Sequence, residues 1–83
     1  MFYKIKTVTP LPGYILSVAF DNGEQKEYDV KPLIGKWDVF SALVDINGLF
    51  EQVKVDAGGY GVSWNDDIDL SCNELYDNGV SLM

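Results

Sequence analysis

The chain has 83 residues and a net charge of −7, and its six cations are all lysines, with no arginine or histidine. So few cations neutralise little nucleic-acid phosphate, and base reading relies on arginine, so we expect no direct nucleic-acid binding; the negative charge either keeps a small protein soluble or favours a basic protein partner. No segment approaches the roughly 18 apolar residues of a membrane span and no signal peptide is recognisable, which predicts one cytoplasmic domain over residues 1–83 with no membrane association.

The first predicted element is an N-terminal strand. Residues 3–8 alternate apolar side chains with lysines, as is typical of an edge or solvated strand. Pro10 and Pro12 follow, and we expect them to end the strand and stiffen the turn into the next element.

A hairpin is predicted over residues 13–30, because apolar residues alternate with period two on both sides of Asp21-Asn22-Gly23. A two-residue loop at Asn22-Gly23 would place charges opposite apolar residues. A three-residue loop, Asp21-Asn22-Gly23, pairs Leu16 with Tyr28 and keeps the faces consistent. Such a loop ends in a left-handed residue, so the sequence predicts a positive φ at Gly23.

Short turns and helices are predicted in the middle of the chain. Residues 31–35 read as a turn, and Asp38 is a plausible N-cap for a helix over residues 39–44. Residues 46–50 read as a further short turn. Trp37 precedes the predicted helix on a loop, where its side chain would either cover the core or, if exposed, indicate a contact surface.

The C-terminal half predicts a second hairpin and a helix. Residues 52–56 and 60–64 alternate, and a four-residue loop over 56–59 would pair Val55 with Tyr60. Ser71 and Glu74 fit a capping box, which places a short helix before Gly79. Residues 80–83 are expected to fray. The order of elements predicts an α+β fold with a mainly antiparallel sheet of about five strands and short helices packed on one side.

With these elements in place, the chain resembles a small bacterial family known as domain of unknown function 2442 (DUF2442). The resemblance covers about residues 4–77 and is carried by Pro10-Leu11-Pro12-Gly13-Tyr14, Phe20-Asp21-Asn22-Gly23-Glu24, Tyr28-Asp29-Val30-Lys31-Pro32-Leu33-Ile34, Val39-Phe40-Ser41-Ala42-Leu43, Asp45, Phe50, Val53-Lys54-Val55-Asp56, Trp64, Asp69-Leu70 and Leu75-Tyr76. The family usually has Trp-Pro-Asn-Gly-x-Asp-Leu where this chain has residues 64–70 without the proline and glycine, so the turn after Trp64 is expected to differ.

The resemblance implies a compact α+β fold. Some family members carry a helix-turn-helix domain after this one, and some lie beside small toxin-like genes and are considered antitoxins. The family supplies no catalytic residues to carry over. Because the chain ends where a DNA-binding domain would begin, no DNA-binding role is expected to transfer.

Candidate site residues are few. Asp66, Asp67 and Asp69 form the one carboxylate cluster, but no EF-hand register fits it, so the pattern favours a solvated turn over a cation site. Cys72 stands at the first position of its predicted helix, where the helix dipole can lower a thiol pKa, but no histidine is present to act as its base. Glu27 and Asp29 read as solubilising carboxylates on an outer strand face. We therefore predict no catalytic residue, no cofactor and no metal.

Two functional hypotheses follow. The first is a non-enzymatic cytoplasmic protein-interaction module, an antitoxin-like partner of a small basic protein, with the interface candidates Trp37, Asp66, Asp67, Glu74 and Asp77. An exposed sheet edge offers homodimerisation as another route to pairing. The alternative is a ligand- or cation-sensing module related to the N-terminal domain of a transcription regulator. An enzyme is not expected.

Overall fold

Two antiparallel sheets with short helices make up the computed structural model, which describes residues 3–81. The first sheet contains, in spatial order, β1 (Ile5–Leu11), β2 (Ile15–Phe20), β3 (Gln25–Asp29) and β7 (Val80–Ser81). The second contains β4 (Lys54–Val55), β5 (Gly61–Ser63) and β6 (Asp69–Ser71). The α-helices are α1 (Lys31–Lys36), α2 (Ala42–Asp45) and α3 (Cys72–Asn78), and 3-10 turns cover Asp38–Ser41, Phe50–Gln52 and Ala57–Gly59.

The predicted α+β class and antiparallel pairing are confirmed, but the five expected strands lie in two sheets. The first hairpin and the N-terminal strand form one sheet, and the second hairpin belongs to the other. The strands β6 and β7 were not predicted. Both are too short for an alternating pattern to show in the sequence.

The first hairpin has the predicted register. Leu16 lies opposite Tyr28, and the backbone N–H of Val30 donates to the carbonyl oxygen of Tyr14 at 2.9 Å. The buried residues of β2 alternate along the strand and face the core together with those of β3. Gly23 has φ +91°, as the three-residue loop requires, and a Cβ built on it would contact nothing within 4 Å.

The predicted end of the first strand at Pro10 is wrong, because β1 continues through Pro10 to Leu11. The hydrogen bond from the Val30 N–H to the Tyr14 carbonyl shows that even-numbered residues on this side of the hairpin form their backbone hydrogen bonds with β3, so the odd-numbered residues of β2 form theirs with β1. Pro10 stands opposite Leu16, an even-numbered residue, and its nitrogen therefore faces the free edge of the sheet. A proline is tolerated there because no ladder hydrogen bond is lost.

The middle of the chain is more helical than predicted. Residues 31–35 form most of α1, which has a proline in its first turn. The predicted helix over residues 39–44 is a 3-10 turn followed by α2, and Trp37 rather than Asp38 occupies the N-cap position, with no side-chain cap. Phe40 and Leu43 are buried as the spacing predicted.

The second hairpin has a different register from the one predicted. Val55 pairs with Val62 rather than Tyr60, and the loop is displaced by one residue to 57–60. The hydroxyl of Ser63 donates to Asp56 Oδ1 at 2.7 Å, and the backbone N–H of Asp56 donates to the carbonyl of Gly61 at 2.9 Å. These bonds fix the register, and Tyr60 consequently lies in the loop with 64% of its surface exposed.

The two sheets meet near Gly59 and are joined by α3. A Cβ on Gly59 would lie 2.8 Å from the carbonyl oxygen of Ile5, so only glycine allows this approach to β1. Helix α3 contacts β3 of the first sheet and both β5 and β6 of the second. Leu75 of α3 is fully buried in the shared core.

Half of the predicted capping box forms at α3. Ser71 Oγ accepts the backbone N–H of Glu74 at 3.1 Å, but the Glu74 carboxylate turns toward other partners. The helix ends at Asn78 as predicted. Val80 and Ser81 pair with Glu27 and Lys26, which corrects the fraying predicted for these two residues, and the rest of that predicted tail lies outside the described residues.

Candidate functional site

Trp37 lies on the surface between α1 and the following 3-10 turn, with 52% of its area exposed. The ammonium of Lys36 lies 5.4 Å from its ring centroid, a distance typical of a cation–π contact. The structure therefore shows the exposure that an interface role requires of Trp37.

Asp66, Asp67 and Asp69 lie in and beside the turn that joins β5 to β6, and all three are exposed. Asn65 Oδ1 accepts the backbone N–H groups of Asp67 and Ile68, each at 2.9 Å, so the amide closes the turn. Within residues 3–81 no acidic, histidine or cysteine side chains gather in a group suited to a metal ion. The cluster therefore has the geometry of a solvated turn.

Cys72 is buried at the start of α3, where its Sγ donates to the carbonyl oxygen of Tyr3 at 3.1 Å. Burial, with a smaller contribution from the charge of Asp21, raises the pKa of this thiol. The lowered thiol pKa considered from the sequence is therefore wrong, because burial disfavours the thiolate. A buried thiol with a raised pKa is poorly suited to nucleophilic attack.

Glu74 belongs to a groove of about 440 Å³ that lies between β3, α1 and α3. The groove combines carboxylates and apolar side chains from these elements and from β7. Its walls consist of Glu27, Tyr28, Asp29, Pro32, Leu33, Lys36, Glu74, Asn78 and Val80. Of the five predicted interface residues, only Glu74 lines the groove. Trp37 comes directly after the wall residue Lys36, and Asp77 lies exposed on α3 outside the walls of the groove.

The Glu74 carboxylate is held in a fixed orientation. Its Oε2 accepts the hydroxyl of Tyr28 at 2.8 Å and the side-chain amide of Asn78 at 3.0 Å. Burial and the adjacent Glu74 raise the pKa of Tyr28 far above its ordinary value, so the phenol keeps its proton and continues to donate. One oxygen of Glu74 thus accepts both internal hydrogen bonds, and the carboxylate is preorganised as a receptor for a cation.

Asp29 is positioned by the start of α1. Its Oδ1 accepts the backbone N–H of Lys31 at 3.0 Å and forms an ion pair with the Lys31 ammonium at 3.0 Å. These interactions, the backbone hydrogen bond first, lower the pKa of the carboxyl group, so Asp29 stays ionised in mild acid. Lys31 also donates to the carbonyl oxygen of Gly13 at 2.8 Å.

Negative charge prevails in the groove. Glu27, Asp29 and Glu74 contribute three carboxylates, and Lys36 is the one cation among the wall residues. Asp29 with Lys31 is the one ion pair found in the part of the chain that the structure describes, although the sequence carries thirteen acidic residues. The groove is therefore electrostatically suited to a cationic ligand that also offers apolar surface to Leu33 and Val80.

The model for "Protein of unknown function (DUF2442)" matches residues 5–81. The chain belongs to the DUF2442 family. No curated protein matches this DUF2442 chain. A solved structure from Nitrosomonas europaea, described as "Putative DNA Binding Protein NE0471", is 27% identical with a TM-score of 0.70. The alignment covers 81% of the present DUF2442 chain and 43% of that protein, so this chain spans less than half of its length.

The sequence did not reveal that Glu27 and Asp29 share a groove with Glu74. Tyr28 and Glu74 are 46 positions apart, and the residues between them include the whole second hairpin. One local signal was available for the groove wall: Lys31-Pro32 can start a helix, because proline is favoured in the first helical turn. Reading these residues as α1 would have placed Asp29 just before a helix.

Proposed function

We propose that this DUF2442 chain is a non-enzymatic cytoplasmic protein-interaction module that binds a basic segment of a partner protein in the groove between β3, α1 and α3. The observation that carries the proposal is the preorganised carboxylate of Glu74 beside Glu27 and Asp29, on a wall that also contains apolar side chains. Buried or partly buried charge pairs across an interface contribute register and specificity.

An antitoxin-like role is the specific form of this proposal. The partner would be a small basic protein, and the net charge of −7 would speed their association. The non-enzymatic character is supported by the buried Cys72 thiol with its raised pKa and by the absence of histidine from the sequence. The helices of residues 3–81 fall far short of the length and apolarity of a membrane span.

Pairing of two copies through a sheet edge is a weaker proposal. Pro10 faces the free edge of β1, and Lys4 and Lys6 lie at its start. Proline and lysine at a sheet edge oppose pairing with a second strand. The other edge strand, β7, has only two residues.

A sensing module related to part of a transcription regulator is the second candidate function. It is favoured by the similarity to the longer Nitrosomonas europaea protein, whose description mentions DNA binding and of which this chain covers 43%. A thermal-shift screen against metal ions and metabolites tests it. A ligand at 100 times its Kd should add about 2.7 kcal/mol to the free energy of unfolding, and a flat screen would contradict this candidate.

Affinity capture from a lysate of the cells that make the protein tests the proposed function. Wild-type protein, Glu74→Gln and Asp77→Asn serve as baits, because both variants remove one charge from α3 but only Glu74 lines the groove. We expect a basic protein to be retained by wild type and Asp77→Asn, released by high salt, and lost with Glu74→Gln. Equal retention by the two variants, or no specific basic protein, would contradict the proposal.

A further inference from the structure

Two carboxylates of the groove between β3, α1 and α3 each use a single oxygen for their internal interactions. In Glu74, Oε2 accepts both the hydroxyl of Tyr28 at 2.8 Å and the side-chain amide of Asn78 at 3.0 Å. In Asp29, Oδ1 accepts the backbone N–H of Lys31 and pairs with the ammonium of the same residue, each at 3.0 Å. None of these four interactions involves Glu74 Oε1 or Asp29 Oδ2, so each carboxylate has one oxygen left for a ligand.

This arrangement determines which kind of cation the two carboxylates can bind. A carboxylate oxygen has about two lone-pair sites, so the two donors fill Oε2 of Glu74. A guanidinium group binds a carboxylate most strongly through two parallel N–H···O bonds, one to each oxygen, and at Glu74 the second bond has no free acceptor site. An ammonium group is a compact point charge that needs only one oxygen. Glu74 and Asp29 therefore suit an ammonium group better than a guanidinium group.

The apolar walls of the groove suit the rest of a lysine side chain. Pro32, Leu33 and Val80 line the groove together with the carboxylates. The hydrocarbon stem of lysine packs along such apolar surface while its ammonium reaches a polar group. The cation of the wall, Lys36, has its ammonium 5.4 Å from the ring centroid of Trp37, which lies outside the walls. Lys36 thus has an interaction partner that is not one of the groove carboxylates.

We propose that the groove selects lysine over arginine in the basic segment of the partner, and that a lysine ammonium binds Glu74 through Oε1. This inference rests on the proposed function and specifies the chemistry of its partner. Tyr28 and Asn78 are positioning residues, because they fill Oε2 and so deny arginine its two-point contact. Removing their two donors should leave a groove that still binds a basic segment but no longer favours lysine.

Two acetylated and amidated peptides of equal charge test the inference, Lys-Lys-Gly-Phe-Gly-Lys-Lys and Arg-Arg-Gly-Phe-Gly-Arg-Arg. Their dissociation constants are measured by calorimetry with wild-type protein, Tyr28→Phe/Asn78→Ala and Glu74→Gln. Asn78 is exposed, so the single variant Asn78→Ala should fold even if the double variant does not. The control is Ser17→Ala/Gln25→Ala, which removes a side-chain hydrogen bond of 3.0 Å from the first sheet, away from the groove walls.

We expect wild type and the control to bind the lysine peptide about fivefold more tightly than the arginine peptide, the effect of one guanidinium hydrogen bond that lacks its acceptor. This preference should decrease in Asn78→Ala and disappear or reverse in Tyr28→Phe/Asn78→Ala. Glu74→Gln should weaken the binding of both peptides.

The lysine selection and the proposed function fail in different ways. Equal binding of the two peptides by wild type, tighter binding of the arginine peptide, or an unchanged preference in the variants that lack the donors to Oε2 overturns the selection of lysine. The groove itself is retained in each of these cases if Glu74→Gln weakens the binding of both peptides. Affinities that Glu74→Gln leaves unchanged overturn the lysine selection and the proposed function together.

Discussion

Single residues with particular backbone or hydrogen-bonding demands determine how this molecule presents its carboxylates. Tyr28 and Asn78 hold one oxygen of Glu74, and the first residue of α1 holds Asp29. Gly23 and Gly59 both have left-handed backbones, but only Gly59 lies against another strand. Substitutions at Gly23 and Gly59 can therefore distinguish the cost of a left-handed backbone from the cost of losing the close approach to β1.

The two glycines should respond differently to alanine. At Gly23 a Cβ meets open space, so Gly23→Ala should lower the free energy of unfolding by about 1–2 kcal/mol, the cost of a left-handed backbone for an L-residue. At Gly59 an added Cβ would also overlap the Ile5 backbone. Gly59→Ala should therefore lower the free energy of unfolding by clearly more than Gly23→Ala does. Urea denaturation of both variants measures the difference. Equal losses would show that the sheets do not require this close approach.

Tyr28 should make stability depend on pH in the alkaline range. Its pKa is raised in the folded state, so the unfolded chain releases this proton near pH 10 while the folded chain retains it. The free energy of unfolding should therefore fall as pH rises above 10. Tyr28→Phe removes this titration and should show a shallower decline between pH 9.5 and 11, measured by denaturant titration at each pH. Parallel declines in the two proteins would contradict the buried, hydrogen-bonded phenol.

Helix α3 is the element that joins the fold to the candidate site. It contacts strands of both sheets and carries Glu74 and Asn78 into the groove. Its seven residues cannot form a stable helix alone, so packing and the Ser71 cap maintain it. Weakening the cap should therefore affect both stability and the orientation of Glu74.

Ser71→Ala should lower the free energy of unfolding by about 1 kcal/mol, because the N–H of Glu74 loses its acceptor. Ser71→Thr retains a hydroxyl oxygen and serves as the control, with a much smaller loss. Thermal unfolding followed by circular dichroism measures both variants. A Ser71→Ala protein as stable as the control would show that packing alone maintains α3.

At the scale of the whole molecule, the sequence predicted the fold class and the first hairpin but not the arrangement of the second sheet. The loop at Gly23 was predictable because its register pairs Leu16 with Tyr28, whereas a two-residue loop would place Leu16 opposite Asp29. The second hairpin was not, because registers that differ by two residues keep the same faces, and the choice depended on the hydrogen bond from Ser63 to Asp56. The groove could not be predicted from the sequence, because its carboxylates come from β3 and α3, which are far apart along the chain.

The most direct test of the account compares two triple variants that each remove three negative charges. Glu27→Gln/Asp29→Asn/Glu74→Gln changes the groove, and Asp66→Asn/Asp67→Asn/Asp77→Asn changes exposed carboxylates outside its walls. The peptide Lys-Lys-Gly-Phe-Gly-Arg-Lys is titrated into each protein and into wild type while backbone amide resonances are followed by NMR. The account predicts shifts at Tyr28, Leu33 and Asn78 and a loss of at least about tenfold in affinity for the groove variant alone, because only its carboxylates line the groove and exposed charges outside the walls are weakened by solvent screening. Equal weakening by both variants, or shifts centred on residues 65–69, would show that the peptide responds to net charge and not to the groove.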